Sequence, residues 1–524
     1  MWICQKPKAA TQFTMQSKRM SLGFSAGLKL LRALIVIAVL TAFLDAAAAV
    51  PPPLSKQLDV IALDNFISSQ VARHHIPGLA VAVTRGDKVV FVRGYAEAQD
   101  RLPVTGKTLF RIASLSKSFT AMAVLQLVEA GHIELDAPIA RYLPDFALAT
   151  PLQAERITVR QLLNHTSGLA DTGFVDGLNG QQKTLADRVA SLRAATTIDQ
   201  AGSAFHYFDP NYQILARLVE VVSAQAFDAY LQQHIFTPLD MQDSISSVTS
   251  GLPVRPSHLV AQGHIMIYGV AMAQPELAGF LGGSGGVVTS AADMAHYLIA
   301  QGNHGNYSGR SVLSANGILL MQTPPAGVQS AYAMGWAVSD MNGKRTIEHN
   351  GVLSTFYADA VLLPESGYGV VLLYNAYALS AATLAFPEIK SGVVAILLGA
   401  TPRRGKLSMP WFGAGFAALS VLLIALMIWR LRRLRSQAQD FNLSVWKRAW
   451  GWLWPLAPAL VLLALPRLLA LQTGRYFELL MLARAMPELI ILLVVSAALG
   501  LIAVVVRLLN MTRERVRGSE RPSS

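Results

Sequence analysis

Three long apolar runs close the chain, Trp411 to Trp429, Ala449 to Leu471 and Leu489 to Val506. Each is long enough for a helix that spans a bilayer, and tryptophans gather at the ends of the first two, where an amphipathic ring sits well at the headgroup level. Upstream the pattern changes. Gly78-Leu79-Ala80-Val81-Ala82-Val83, a turn at Arg85-Gly86-Asp87-Lys88 and Val89-Val90-Phe91-Val92 predict a β-hairpin. Strand-like runs return only late, at Tyr357 to Leu363 and Gly369 to Tyr374, joined by Pro364-Glu365-Ser366-Gly367. The middle reads as helical, for example Ala186 to Ala194 and Tyr212 to Ala224. A sheet drawn from both ends of this region, with a helical insertion between them, predicts an α+β layered architecture followed by three transmembrane helices.

Composition and charge place these parts relative to a membrane. Hydrophobic residues make up 52% of the 524 and charged residues 15%, and the apolar excess sits in the last quarter. Lys18, Arg19, Lys29 and Arg32 precede an apolar run from Ala33 to Leu44 and then Ala46-Ala47-Ala48-Ala49, so residues 1–49 read as a secretory signal; a retained anchor is the alternative. Residues 50–400 form the exported domain, 401–410 a basic linker, and 411–429, 449–471 and 489–506 the spans. Arg430, Arg432, Arg433, Arg435, Lys447 and Arg448 lie between the first two spans, and 507–524 is an arginine-rich tail. The loop between the last two carries only Arg475 and Arg484. By the positive-inside rule the basic loop and the tail are cytoplasmic, leaving the domain on the outer face of an inner membrane.

The net charge of +12 forms no stripe interleaved with aromatics, which argues against a nucleic-acid partner. Cys4 is the single cysteine, so no disulfide closes within one chain, and no HExxH spacing occurs; neither metal nor cofactor is expected.

Candidate chemistry begins at Arg111-Ile112-Ala113-Ser114-Leu115-Ser116-Lys117-Ser118. If Ser114 opens the helix that follows, Lys117 lies one turn later on the same face, and burial beside the helix's positive end disfavours the ammonium, readying it to take the serine proton. Serine and lysine at this spacing also occur by chance. Further motifs flank it in order, Pro77 to Val83 before it and Leu162-Leu163-Asn164-His165-Thr166-Ser167-Gly168-Leu169, Pro238-Leu239-Asp240-Met241, Gly282-Gly283-Ser284-Gly285-Gly286 and His349-Asn350-Gly351 after it. With these the exported region, nearly all of Pro77 to Gly399, resembles the serine β-lactamase and penicillin-binding-protein family in its class C branch.

The resemblance implies a serine β-lactamase-like fold, an antiparallel sheet flanked by helices with an all-helical subdomain. It also implies Ser114 as the acylated nucleophile, Lys117 as its proton partner, Tyr207 as second base and leaving-group acid, and an oxyanion hole from the backbone N–H groups of Ser114 and Val352. Asp209, His349, Asn350 and Gly351 are then expected to bind substrate. Two positions depart from the family. Tyr207-Phe208-Asp209 stands where many relatives have Tyr-x-Asn, so Asp209 either binds a substrate NH2 or ammonium group or pairs with Lys117 and keeps it protonated; Asn211 is a nearby amide that would partly compensate. His349 stands where antibiotic-hydrolysing members carry lysine, and a mostly neutral imidazole is a poorer partner for a β-lactam carboxylate. His165 reads as a helix-exit residue, Gly282 to Gly286 as a close-packed turn beside the site, and His264 as undecided.

Three functions are consistent with this reading. An exported domain with three C-terminal membrane helices is similar to the prodrug-activating peptidases of non-ribosomal peptide pathways, of the colibactin-maturing type, which remove an N-acyl-D-asparagine cap; the substrate would be a small peptide or acyl-peptide, lipid-tailed in that case. A D-alanyl-D-alanine carboxypeptidase or D-amino-acid esterase of the cell wall needs the same residues. A catalytically silent penicillin-type sensor or binding protein is a reading of another class.

Overall fold

The computed structural model describes residues 58–99, 101–174, 182–249, 251, 260–341, 343–436 and 445–519. The expected signal segment lies outside them.

Helix α1 (Val60–His74) starts where the Asp59 side chain accepts from the Ala62 N–H at 2.9 Å. Strands β1 (Gly78–Arg85) and β2 (Lys88–Gln99) form the predicted hairpin, and β3 (Leu102–Pro103) continues it. Then come α2 (Ser116–Glu129), α3 (Asp209–Ser223) and α4 (Ala291–Gly302), followed by β4 (Tyr332–Ala333), β5 (Trp336–Met341), β6 (Lys344–Val352), β7 (Tyr357–Leu363) and β8 (Tyr368–Tyr374). The eight strands make one antiparallel sheet in the order β4-β5-β6-β7-β8-β1-β2-β3. The two ends of the domain meet at β8 and β1, as the α+β reading requires.

Strand periodicity divides the core. On β1, Ala80 and Ala82 face one layer with α2, α3 and α4, while Leu79, Val81 and Val83 face the other with α1 and α5 (Leu379–Leu397). Phe386 of α5 stacks on Tyr357 and Tyr374 of the sheet, at 4.7 and 4.2 Å between ring centroids. Sequence pattern missed β5 and β6 because polar residues line much of them, as in Lys344-Arg345-Thr346-Ile347-Glu348-His349.

The C-terminal part contains α6 (Met409–Ser436), α7 (Val445–Thr473), the short α8 (Leu479–Ala485) and α9 (Pro487–Ser519). Among the described residues four helices, not three, are long and apolar enough to cross a membrane: segments 409–433, 454–473 and 487–512, and α5. The fourth passes only by composition, since its apolar face is spent on the sheet. The linker is clamped rather than loose: Arg73 donates to Glu388 at 2.7 Å and to the Gly405 carbonyl, and the Met409 N–H meets His74 Nδ1 at 3.4 Å. The described residues accordingly fall in one compact unit.

Candidate active site

Ser114 lies in a 3₁₀ turn, Ala113–Leu115, and α2 begins two residues later. Ala113 before it has φ +48°, a left-handed conformation costing an alanine about 1–3 kcal/mol. The surrounding sheet enforces it: Ile112 N–H donates to the Val287 carbonyl at 3.2 Å and Val287 N–H to Ser116 Oγ at 3.0 Å. Strand β6 presses on the same turn, where a Cβ placed on Gly351 would sit 2.0 Å from the Ile112 carbonyl oxygen. Glycine at 351 therefore sets how close the β6 edge comes to the serine.

Lys117 is fully buried beneath Ser114. Its Nζ donates to Ser114 Oγ at 3.1 Å, Asp209 Oδ1 at 2.6 Å and the Ser284 carbonyl at 2.9 Å. Burial opposes the charge, but the Asp209 carboxylate, with Tyr207, outweighs it and raises the pKa. The resting lysine is an ammonium. Once it has lost one proton, two N–H groups still serve Asp209 and Ser284, and the lone pair is left for the Ser114 proton.

Asp209 opens α3, where the helix's positive end favours a carboxylate. Burial alone would raise its pKa, yet Lys117 and then Arg475 hold it well below the usual carboxylate range. Of the two roles expected for Asp209, pairing with Lys117 is the one observed. Asn211 offers no compensating amide to the pocket, because it is buried, accepting from Ser167 Oγ at 2.9 Å and meeting His165 Nδ1 at 3.1 Å.

Tyr207 is held between cations and rings. Lys117 Nζ and Arg475 Cζ each lie 4.8 Å from its ring centroid, and the His165 ring is 4.4 Å away. His165 is more than a helix exit: φ is +55°, the ring is fully buried, and Nδ1 accepts the Phe208 N–H at 3.2 Å, fixing the segment that carries Tyr207. The glycine turn serves as expected, lending the Ser284 carbonyl to Lys117. His264 lies on a separate short strand, with Nδ1 3.1 Å from the Asn375 carbonyl.

Ser114, Tyr207, Asp209, His349, Asn350 and Val352 line one cavity of about 920 Å³, whereas Gly351 packs against the backbone of Ile112 and does not line it. Burial, helped by Lys117, pushes His349 down to about 4, so it faces the cavity as a neutral imidazole. Asn350 Nδ2 donates to Tyr357 Oη at 3.4 Å. Deeper along that wall Lys390 donates to Glu348 at 3.1 Å and Asp359 at 3.2 Å, and burial lifts Asp359 to about 6. Among the described residues no group of His, Cys, Asp or Glu is placed to hold a metal ion.

Sequence reasoning missed the opposite wall. It comes from the C-terminal part: Leu469, Tyr476, Phe477, Met481 and Leu482 line the cavity, and Arg475 donates from Nε to Asp171 at 2.7 Å and from Nη2 to Asp209 at 2.9 Å. The signal available was small: Arg475 and Arg484 are basic residues on a loop that the positive-inside pattern leaves poor in them.

The family model described as Beta-lactamase matches residues 63–393, a stretch that contains every catalytic candidate. The chain belongs to the beta-lactamase family. It is 31% identical over 315 residues to penicillin-binding protein 4 of Amycolatopsis lactamdurans, covering 58% of this chain and 81% of that one. It is 26% identical over 316 residues to the protein flp of Staphylococcus aureus strain MW2, covering 60% of this chain and 62% of that protein's length. The octameric penicillin-binding protein homologue from Pyrococcus abyssi has a similar fold, at TM-score 0.54 and 26% identity over 66% of this chain and 78% of that one. Family membership supports a serine hydrolase in general terms. The matched range of the family model ends at residue 393, before the last three helices and the Arg475 loop.

Proposed function

We propose that the chain is a membrane-held serine hydrolase whose domain faces the outside of the cell and which cleaves amide or ester bonds next to D-amino acids. The observation that carries this is Ser114 Oγ at 3.1 Å from a buried Lys117 Nζ, at a cavity shared by sheet and C-terminal helices. In acylation Ser114 Oγ attacks the carbonyl carbon as its proton passes to the neutral Lys117 amine. The carbon–nitrogen bond breaks and Tyr207 gives the leaving nitrogen a proton, recovered from Lys117; water then releases the acyl group by the reverse transfers. The N–H groups of Ser114 and Val352 stabilise the oxyanion, a contribution of about 3–4 kcal/mol where such donors are aimed.

Within this class we favour removal of an N-acyl-D-asparagine cap. A polar end built from His349 and Asn350 suits a carboxamide, and the apolar residues Leu469, Met481 and Leu482 suit an acyl chain. The penicillin-binding-protein names of two relatives favour the second reading, a carboxypeptidase or esterase of cell-wall peptides.

The deciding experiment is mass-spectrometric product analysis of membranes carrying wild type or Ser114→Ala, given equimolar N-myristoyl-D-asparaginyl amide and a peptide ending in D-alanyl-D-alanine. Serine-dependent release of myristoyl-D-asparagine is the expected result. Loss of only the terminal D-alanine moves the protein to the cell-wall reading, and no serine-dependent product leaves the silent binding protein.

A further inference from the structure

The loop between α7 and α8 reaches the site across hundreds of residues of chain. Arg475 grips Asp171 through Nε and Asp209 through Nη2, and the Tyr476 N–H adds a second donor to Asp171 Oδ2 at 3.1 Å. Two further ties fix the approach: Arg484 donates to the Pro275 carbonyl and to Ser354 Oγ at 3.2 Å, and Glu488 accepts the Tyr268 N–H at 2.8 Å. Exposed ion pairs contribute little, but this one is largely enclosed, with the Arg475 side chain 26% exposed and Asp171 15%. A staple meant only to hold helices to the domain has no need to end on the carboxylate that contacts the serine's base.

We propose that Arg475 is a positioning residue of the active site: by holding Asp171 and Asp209 together it divides the Asp209 carboxylate between itself and Lys117, so that the apolar C-terminal part governs how readily Ser114 reacts. The inference rests on the serine-hydrolase reading above. The groups facing Lys117 are Asp209 and Tyr212 of α3, Tyr207 before it, His165, His349 of β6 and Arg475, with Asp171 and Tyr332 behind them. His165 and His349 are both pushed down by burial and by Lys117, so they are neutral near pH 7. Asp209 therefore holds the proton on Lys117, while Arg475 opposes it by competing for that carboxylate and by repulsion between like charges. Without Arg475 the ammonium persists to higher pH and Ser114 is slower to react.

The test uses the full chain in detergent and a fluorescent fluorophosphonate, whose rate of Ser114 labelling needs no knowledge of the natural substrate. For Arg475→Gln the acid limb of the rate profile moves up by about one pH unit, a roughly tenfold slower labelling on that limb. Arg475→Lys keeps a charge without the fork and shows a smaller displacement in the same direction. In an Asp209→Asn background, Arg475→Gln moves the limb by less, because the shared carboxylate is gone. An acid limb at the wild-type position in both Arg475 variants overturns the proposal, and if thermal unfolding shows that the Gln variant has lost its fold, the Lys profile alone decides. Wild-type protein labelled no faster than Ser114→Ala overturns the hydrolase reading and this inference with it; labelled wild type with an unmoved limb overturns only the inference.

Discussion

At the residue scale the site is a problem in distributing few charges. Lys117, Asp209, Arg475 and Asp171 form a chain of alternating sign, with Tyr207 packed against both cations. Asp209→Asn removes the charge that holds the Lys117 proton, so the acid limb of kcat/KM moves down, opposite in sign to the displacement expected for Arg475→Gln. A pH series on the two variants checks this, and displacements of the same sign would refute the charge-sharing account. His349 makes a separate prediction about stability. Its folded pKa of about 4 lies below the unfolded value near 6.5, so below that value the unfolded state binds a proton that the folded state refuses. Stability is lost as pH falls from about 6.5 towards 4, by about 3 kcal/mol if the imidazole stays buried. His349→Gln should show a smaller fall in Tm between about pH 7 and 5 than wild type. Equal falls in thermal-shift curves would mean that His349 does not sense pH.

At the scale of elements, catalytic geometry depends on how β6 meets the Ser114 turn. Replacing Gly351 by alanine would put a Cβ 2.0 Å from the Ile112 carbonyl, a backbone contact that no rotamer relieves. The strand edge must move away, costing about 1–3 kcal/mol of stability and displacing Val352 from the serine. The expected outcome is a fall in kcat of about 10²-fold with KM little changed, as when an oxyanion donor is misplaced; steady-state kinetics would show it, and unchanged kcat would free Val352 from that role. The same elements explain what could be read from sequence. Ser114 and Lys117 were legible because one helical turn brings them together, and the β1–β2 hairpin because its alternation is local. Strand β6 escaped because its polar residues face the cavity and the Lys390 cluster, where hydrophobic periodicity says nothing. Asp209 was legible as a departure from a family pattern, but its second partner was not, because Arg475 lies 266 residues further along the chain.

At the scale of the whole molecule, the cavity joins two chemistries that the chain order keeps apart. Its polar end belongs to the beta-lactamase-family domain, and its apolar end to the segment from Leu469 to Met486. On the proposed function, a substrate that fills both ends carries a polar D-residue at the scissile bond and an alkyl tail pointing to the apolar helices, where each buried CH2 adds about 0.8 kcal/mol. For a series of N-acyl-D-asparaginyl amides, kcat/KM should therefore rise roughly fourfold per added methylene until the cavity is filled, and then level off. Leu482, which is buried and lines that wall, provides the control. Leu482→Asn should flatten the dependence on chain length while N-acetyl-D-asparaginyl amide is cleaved at the wild-type rate, since the short substrate never reaches position 482. A flat wild-type series would remove the acyl-chain role from this wall. An undiminished slope in the variant would instead direct the tail to another part of the cavity, and the Arg475 loop would then contribute only through Asp209.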